Sequence, residues 1–205
     1  MNIPFVSRFM RLPAIQRQST LSLIFTLAIT GVGFLSTMLF SHVLGKDLMG
    51  VYYLFLAYYG IFNMIGDGGF WQAAVKRISE GREQNAYLTA YACLRSILII
   101  VSTLILLTLS PFFVDLQDYN LIPLIILALV SAGVFHTITM GVNGLGHVGI
   151  YNVGFGLSEL ARIIIQIITV LLGFTVYGLI GGYIAGIILS GILYASWGLP
   201  RWLSR

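Results

Sequence analysis

Long apolar runs separated by short polar stretches dominate the pattern of positions along the chain. A run of about 20 apolar residues is long enough to cross a bilayer as a helix. The pattern predicts six such helices, over Leu21–Leu44, Leu48–Ile65, Tyr87–Val114, Leu121–Val142, Phe155–Phe174 and Tyr177–Leu199. We therefore predict an all-α integral membrane protein, a bundle of six transmembrane helices over residues 21–199. Residues 1–20 form a cytoplasmic or interfacial segment and residues 200–205 a cytoplasmic tail.

The composition narrows the classes of function. The 205 residues are 58% hydrophobic and 9% charged, whereas about 25% of residues are charged in an ordinary soluble domain. Six spans leave no room for a sizeable soluble domain, so we expect the function within the membrane or at its faces. The formal net charge of +4 comes mainly from basic residues that flank the spans, as membrane topology requires. We therefore expect no nucleic-acid binding.

Motifs for bond chemistry are not found in the sequence. It has no glycine-rich phosphate loop, no paired histidines at metal-ligand spacing and no nucleophile elbow. The single cysteine, Cys93, excludes intrachain disulfides and cysteine-cluster metal sites. We expect no catalytic residues, no cofactor and no metal. An intramembrane enzyme acting on lipid precursors remains an alternative, because such enzymes can hide catalytic residues in plain apolar surroundings.

Basic residues predict the orientation, because cytoplasmic loops are enriched in Lys and Arg. In a six-span arrangement one side carries Arg8, Arg11, Arg17, Lys76, Arg77, Arg82, Arg201 and Arg205. The opposite side carries Lys46 beside Asp47, and then Asp115 and Asp118. We predict a protein of the cytoplasmic membrane with both ends in the cytoplasm. Met1–Gln18 is either an interfacial segment or a disordered tail.

Four charged residues lie within the predicted spans, namely Asp67, Arg95, Glu159 and Arg162. A charge at the bilayer centre costs at least about 2.5 to 3.5 kcal/mol, so each one needs a partner, water or a function. Glu159 and Arg162 are three residues apart on one helix face, where they can pair. One interpretation is a cavity open to the cytoplasm in which the arginines attract a lipid phosphate. The other is that the arginines snorkel to the inner headgroups.

Small residues recur at four-residue spacing in the last span, at Gly178, Gly182, Gly186 and Ser190. Such a stripe lets two transmembrane backbones approach closely. We expect a close helix contact within the chain, and a dimer interface is the alternative.

Two aromatic residues of the second span, Tyr58 and Tyr59, lie deeper in the membrane than headgroup level. Both could stack on a sugar, and ordinary packing is the alternative interpretation.

The order and spacing of residues in and after the second span point to one protein family. The series includes Leu44, Gly45, Gly50, Tyr52, Tyr53, Asn63, Asp67, Gly69 and residues 73–80, AAVKRISE. It continues through Arg95, the loop GLGH at residues 144–147 and Arg162. From about Phe25 to the last span, the chain resembles the Wzx-type polysaccharide-biosynthesis flippases. These belong to the MOP (multidrug/oligosaccharidyl-lipid/polysaccharide) exporter superfamily.

The resemblance implies a flippase, or the N-terminal six-helix lobe of one. Its substrate would be a glycan linked to an isoprenoid phosphate or pyrophosphate, moved from the cytoplasmic to the outer leaflet. On this analogy Asp67, Arg95 and Arg162 face a cavity, with Lys76 and Arg77 at its mouth. Implied partners are membrane lipids and a second six-helix lobe, a second copy or glycan-assembly proteins. A six-helix membrane subunit with a structural or assembly role is the other alternative.

Overall fold

Helices form nearly all of the part of the chain that the structure describes. The structure is a computed structural model that describes residues 14–146 and 148–198, and side chains over 23–146 and 151–196. The helices are α1 (Ala14–Asp67), α2 (Trp71–Ser79), α3 (Gln84–Leu109), α4 (Val114–Asp118), α5 (Leu121–Gly144), α6 (Val148–Leu171) and α7 (Thr175–Gly198). A 3-10 segment, Ser110–Phe112, joins α3 to α4. No strand occurs within the described ranges.

Five of the described helices are long and apolar enough to cross a bilayer, namely α1, α3, α5, α6 and α7. In α1 the apolar segment Leu23–Asp67 has 45 residues, about twice the 20 that one span needs. Gly45 interrupts it with φ 80° and ψ 170°, a backbone conformation that essentially only glycine adopts. We refer to residues 14–44 as α1a and to residues 46–67 as α1b.

Contacts on either side of Gly45 show that the chain reverses direction there. A Cβ atom added at Gly156 of α6 would collide with the Phe25 ring of α1a, and Gln166 of α6 donates a hydrogen bond to the Tyr52 hydroxyl of α1b. These two positions of α6 are ~15 Å apart along the helix. A straight α1 would separate Phe25 from Tyr52 by ~40 Å, whereas a hairpin gives ~20 Å. Divided at Gly45, the apolar segment of α1 gives two stretches that are each long enough to span a bilayer, so the described chain is an all-α bundle with six candidate spans.

The glycine stripe of α7 packs against α6. Added Cβ atoms at Gly178, Gly182 and Gly186 would meet Thr169, Gln166 and Arg162 of α6, respectively, within 2.6 to 3.1 Å. The prediction of a close contact within the chain is confirmed. The two helices approach so closely because these glycines have no side chain to separate them.

The bundle has two ends with different loops. At one end α2 packs beside the end of α5, where a Cβ atom on Gly144 would lie 2.7 Å from the Ile78 side chain. At the other end the Tyr177 hydroxyl of α7 donates a hydrogen bond to the Tyr119 carbonyl, which follows α4 (3.1 Å). We call these the α2 end and the α4 end.

The helices differ from the predicted spans at their ends. The third span was predicted to reach Val114, but α3 ends at Leu109 because Pro111 lacks the N–H needed to continue an α-helix. The fifth was predicted over Phe155–Phe174, but α6 covers Val148–Leu171. A turn at Gly173 follows, with φ 86°. Apolar runs alone do not mark these boundaries, because turn residues and caps set them.

Several predictions lie outside the described residues. They concern residues 1–13 of the predicted segment Met1–Gln18, the loop residue His147, and residues 199–205 with Arg201 and Arg205. Of the predicted N-terminal segment, residues 14–20 are helical and belong to α1.

Candidate functional site

A buried ion pair links α1b to α3. Arg95 Nη1 lies 2.7 Å from Asp67 Oδ1, and Nη2 donates a hydrogen bond to Asn63 Oδ1 at 2.8 Å. The Tyr91 hydroxyl, one helical turn before Arg95, donates to the same Asp67 oxygen at 3.1 Å. We call these four residues the Asp67–Arg95 cluster.

The Arg95 side chain is enclosed by protein. It is 1% exposed, against 23% for Asp67, so its guanidinium stays inside the bundle and does not extend to the surface as a snorkelling arginine would. Within the described residues, its Nε has no hydrogen-bond partner. The terminal nitrogens carry the pairing, which fastens α1b to α3 where α1b ends.

A cavity of about 180 Å³ lies between α1b, α5, α6 and α7. Its walls combine aromatic, small and charged side chains. The lining residues are Tyr59, Ala132, Phe135, His136, Phe155, Ser158, Glu159, Arg162, Tyr183, Gly186, Ile187 and Ser190. The cavity lining is therefore mostly apolar, with a small number of polar and charged groups placed in it.

The charged residues of the cavity form a continuous network. Arg162 Nε and Nη2 donate to Glu159 Oε2 at 3.2 and 2.5 Å, and Nη1 donates to Gln166 Oε1 at 3.0 Å. Gln166 Nε2 in turn donates to the Tyr52 hydroxyl of α1b and to the Leu179 carbonyl of α7. The network thus joins α6 to the helices on both sides of it.

Packing of α7 fixes the position of this network. Gly186 faces the Cα, Cβ and Cγ atoms of Arg162, and Gly182 faces the backbone and Cγ of Gln166. Above the guanidinium, Tyr183 places its ring centroid 5.6 Å from Arg162 Cζ, within the range of a cation–π contact. The glycine stripe therefore holds the polar side chains of α6 against α7.

The two tyrosines proposed for sugar stacking have different surroundings. Tyr59 lines the cavity and packs edge-on against Tyr183, with ring centroids 5.6 Å apart. The Tyr58 ring instead meets Phe113 at 5.0 Å, towards the α4 end. Of the two, Tyr59 has the position from which a ligand in the cavity could be contacted.

Lys76 and Arg77 lie on the exposed side of α2. Arg77 pairs with Glu80 at 3.3 Å, both of them largely exposed. On the opposite side of α2, Ile78 is fully buried against the end of α5. The basic pair is therefore at the α2 end and outside the cavity lining.

The predicted site residues form three groups in the structure. Glu159, Arg162 and Tyr59 line the cavity, Asp67 and Arg95 pair in a separate cluster, and the basic residues of α2 lie at the surface. His136, an aromatic neighbour of Trp71 at 5.7 Å, lines the cavity on the side that faces α2.

The sequence interpretation did not identify Gln166, Tyr183 or Asn63 as part of these clusters. Gln166 had a signal, because it is a polar residue in an apolar run, four positions after Arg162 and so on the same helix face. Asn63 had the same kind of signal, because it is a polar residue four positions before Asp67 on one helix face. No comparable signal marks Tyr183, since its partner Arg162 lies on another helix.

Comparison with known proteins identifies a family and a relative. A family model described as "Polysaccharide biosynthesis protein" matches residues 15–204. The chain is also similar to the probable low-salt glycan biosynthesis flippase Agl15 of Haloferax volcanii, at 37% identity over 89 residues. That alignment covers 43% of this chain and 18% of the relative, so the chain matches about a fifth of the relative's length. No solved structure matches the chain.

Proposed function

Since this chain belongs to the polysaccharide biosynthesis protein family, we propose that it acts as a flippase or as the N-terminal six-helix lobe of one. Its substrates are lipid-linked oligosaccharide or polysaccharide precursors, moved from the cytoplasmic to the outer leaflet. The observation that carries the proposal is a cavity inside a membrane bundle with the charged residues Glu159 and Arg162 in its wall. Charges at this depth are costly in lipid, which favours a role for them in moving a polar group.

The proposed path for the glycan lipid begins at the α2 end. Lys76 and Arg77 are exposed there and attract an isoprenoid phosphate or pyrophosphate as the substrate arrives. The cavity and the Asp67–Arg95 cluster lie deeper in the bundle. On this proposal the cluster supports the α1b–α3 wall, and the cavity receives part of the headgroup.

We propose that the α2 end faces the cytoplasm and that the protein resides in the cytoplasmic membrane, with both chain ends inside. The basic residues Lys76, Arg77 and Arg82 support this orientation, because Lys and Arg set topology whereas Asp and Glu contribute little. Asp115 and Asp118 are at the α4 end.

The proposed activity is transport and not bond chemistry. Membrane lipids surround the bundle, and much of α1a exposes apolar side chains, such as Leu27, Phe34 and Leu35. A second six-helix lobe, a second copy of the chain or glycan-assembly proteins are the proposed protein neighbours.

A leaflet assay with arginine variants tests the flippase proposal. The full native gene product is placed in vesicles with a labelled isoprenoid-diphosphate oligosaccharide, and the fraction reaching the far leaflet is measured. We expect Arg95→Ala and Arg162→Ala each to abolish transport while membrane insertion is retained. Arg82→Ala, an exposed arginine outside the clusters, is the matched control and should transport normally. Full transport by the double variant of Arg95 and Arg162 would contradict the proposal.

A structural or assembly subunit is the second candidate function. It is favoured by the observation that Arg95 and Arg162 are both already paired with carboxylates of the bundle, as expected for charges that have a structural role and bind no substrate. Normal glycan assembly by a protein that carries both Arg95→Ala and Arg162→Ala would support this second role.

A further inference from the structure

Three of the five N–H groups of Arg162 are in use at the cavity wall. Nε and Nη2 bind Glu159, Nη1 binds Gln166, and Tyr183 covers the guanidinium. The charge of the guanidinium is already neutralised by Glu159, and a phosphate entering the cavity would also be repelled by that carboxylate. The cavity is therefore poorly suited to an anion.

Hydrogen-bond acceptors, in contrast, remain available in the same wall. Both bonds from Arg162 end on Glu159 Oε2, so no described residue donates to Oε1. Ser158 and Ser190 donate their protons to the Gly154 and Gly186 carbonyls at 2.7 and 2.6 Å. This leaves their oxygen lone pairs unoccupied. A ligand that fits this wall must supply donors.

The charge of the wall excludes a cationic donor as the preferred ligand. Glu159 and Arg162 cancel each other, and a cation near the carboxylate would also lie near the guanidinium, which repels it. An uncharged ligand with several hydroxyl groups meets neither penalty.

The size and the apolar part of the lining suit one ring. A cavity of ~150 Å³ holds a single benzene molecule, and this one measures about 180 Å³. Tyr59, Phe135, Phe155 and Tyr183 contribute aromatic surface, against which the C–H face of a sugar ring can pack. Aromatic walls with a few placed polar groups are typical of small-molecule sites.

We propose that the cavity binds one uncharged sugar ring of the transported glycan and that the lipid phosphate stays outside it. Glu159 and the two serines accept hydrogen bonds from the sugar hydroxyls, and Tyr59 packs on the ring. Arg162 is a positioning residue that orients Glu159. This inference rests on the proposed flippase function.

Paired lipid probes separate sugar binding from phosphate binding. The full native gene product in nanodiscs is titrated with farnesyl diphosphate and with farnesyl diphosphates that bear one glucose, galactose or mannose. We expect at least one sugar-bearing probe to bind about tenfold more tightly, as one or two satisfied hydrogen bonds would give. The Ser158→Ala/Ser190→Ala double variant and, separately, Glu159→Gln should remove this advantage without weakening binding of farnesyl diphosphate.

Ser96→Ala is the matched control for the serine variants. Ser96 makes the same bond to a carbonyl four residues earlier, but it lies on the exposed side of α3, so the advantage should persist. Equal binding of all probes to the unmodified protein would overturn the sugar site and leave the flippase proposal standing. The same conclusion follows if the cavity variants weaken all probes alike. No binding of any probe would contradict both proposals.

Discussion

Arg95 and Arg162 illustrate two ways in which a membrane bundle accommodates a guanidinium. Arg162 pairs within its own helix and is 21% exposed at the cavity. Arg95 is enclosed and pairs across helices with Asp67. A buried charge pair offsets its desolvation only while both partners are present, and removing one leaves an uncompensated charge. The cost of a substitution in the Asp67–Arg95 cluster therefore depends on which partner remains.

Removing Asp67 alone should strongly destabilise the bundle. We expect Asp67→Ala to lower the free energy of unfolding by about 3 to 5 kcal/mol, because Arg95 is left buried without its counterion. The double variant Asp67→Leu/Arg95→Met should recover most of this loss. Unfolding by denaturant in detergent measures both. Glu80→Ala, which breaks the exposed pair with Arg77, should change stability by about 1 kcal/mol or less. Equal losses of unfolding free energy in the single and double variants would show that the unpaired charge of Arg95 is not the cause.

Pairing within one helix was predictable from the sequence, and pairing between helices was not. Glu159 and Arg162 are three positions apart, so helix geometry alone brings their side chains together. Asp67 and Arg95 meet only because α1b crosses α3 at that level. The sequence indicates that each buried charge needs a partner, but the identity of the partner depends on the tertiary packing.

The contact between α6 and α7 depends on glycines at specific positions. Gly182 lies directly against the backbone of Gln166, whereas its neighbour Gly181 faces open space. The same helix therefore offers one glycine that the packing requires and one that it does not.

A methyl group at Gly182 should force α6 and α7 apart. In Gly182→Ala the new Cβ atom would lie 2.8 Å from Gln166 Cγ and 3.0 Å from its Cα, an overpacking that typically costs about 1 to 3 kcal/mol. Gly181→Ala is the matched control and should leave stability unchanged or slightly higher, since alanine favours helix. Thermal unfolding in detergent compares the two variants. A control as unstable as Gly182→Ala would show that the close approach is not the cause.

The hairpin at Gly45 should be equally sensitive to a side chain, for a different reason. The positive φ and extended ψ of this residue are costly for any L-residue with a Cβ atom, by about 1 to 3 kcal/mol. Gly45→Ala should therefore destabilise the protein although nothing crowds the site. Gly50→Ala, in the helical part of α1b and also in open space, should be neutral in the same unfolding measurement. Unchanged stability of Gly45→Ala would contradict the strained hairpin.

Helices long enough to cross the membrane were predicted from their apolar runs, and the short helix α2 was missed by that criterion. The two runs on either side of Gly45 predicted the hairpin, because each is long enough to cross the membrane alone. Helix α2 has nine residues, too few to cross a membrane, and it is not among the six predicted helices. Its sequence does carry an amphipathic pattern, because apolar residues recur at helical spacing at Trp71, Ala74, Val75 and Ile78. Its helical form buries Ile78 against α5, a contact that depends on the whole bundle.

At the scale of the whole molecule, charge distinguishes the two ends of the bundle. The α2 end carries Lys76, Arg77 and Arg82, and the α4 end carries Asp115, Asp118 and a single basic residue, Lys46, beside Asp47. Glu80 and Glu83 also lie at the α2 end, but acidic residues have little influence on topology. The proposed orientation thus follows from the basic residues, and the proposed loading of the substrate from the cytoplasm depends on it.

Labelling of single cysteines tests this orientation directly. In a Cys93→Ser background, Glu80→Cys places a thiol at the α2 end and Asp118→Cys places one at the α4 end, both at exposed positions. A membrane-impermeant maleimide added to intact cells should modify the Asp118→Cys variant, and should reach Glu80→Cys only after the membrane is opened. The reverse pattern would place the α2 end outside and contradict loading from the cytoplasm. Modification of both variants in intact cells would contradict the placement of α2 and α4 on opposite sides of the membrane.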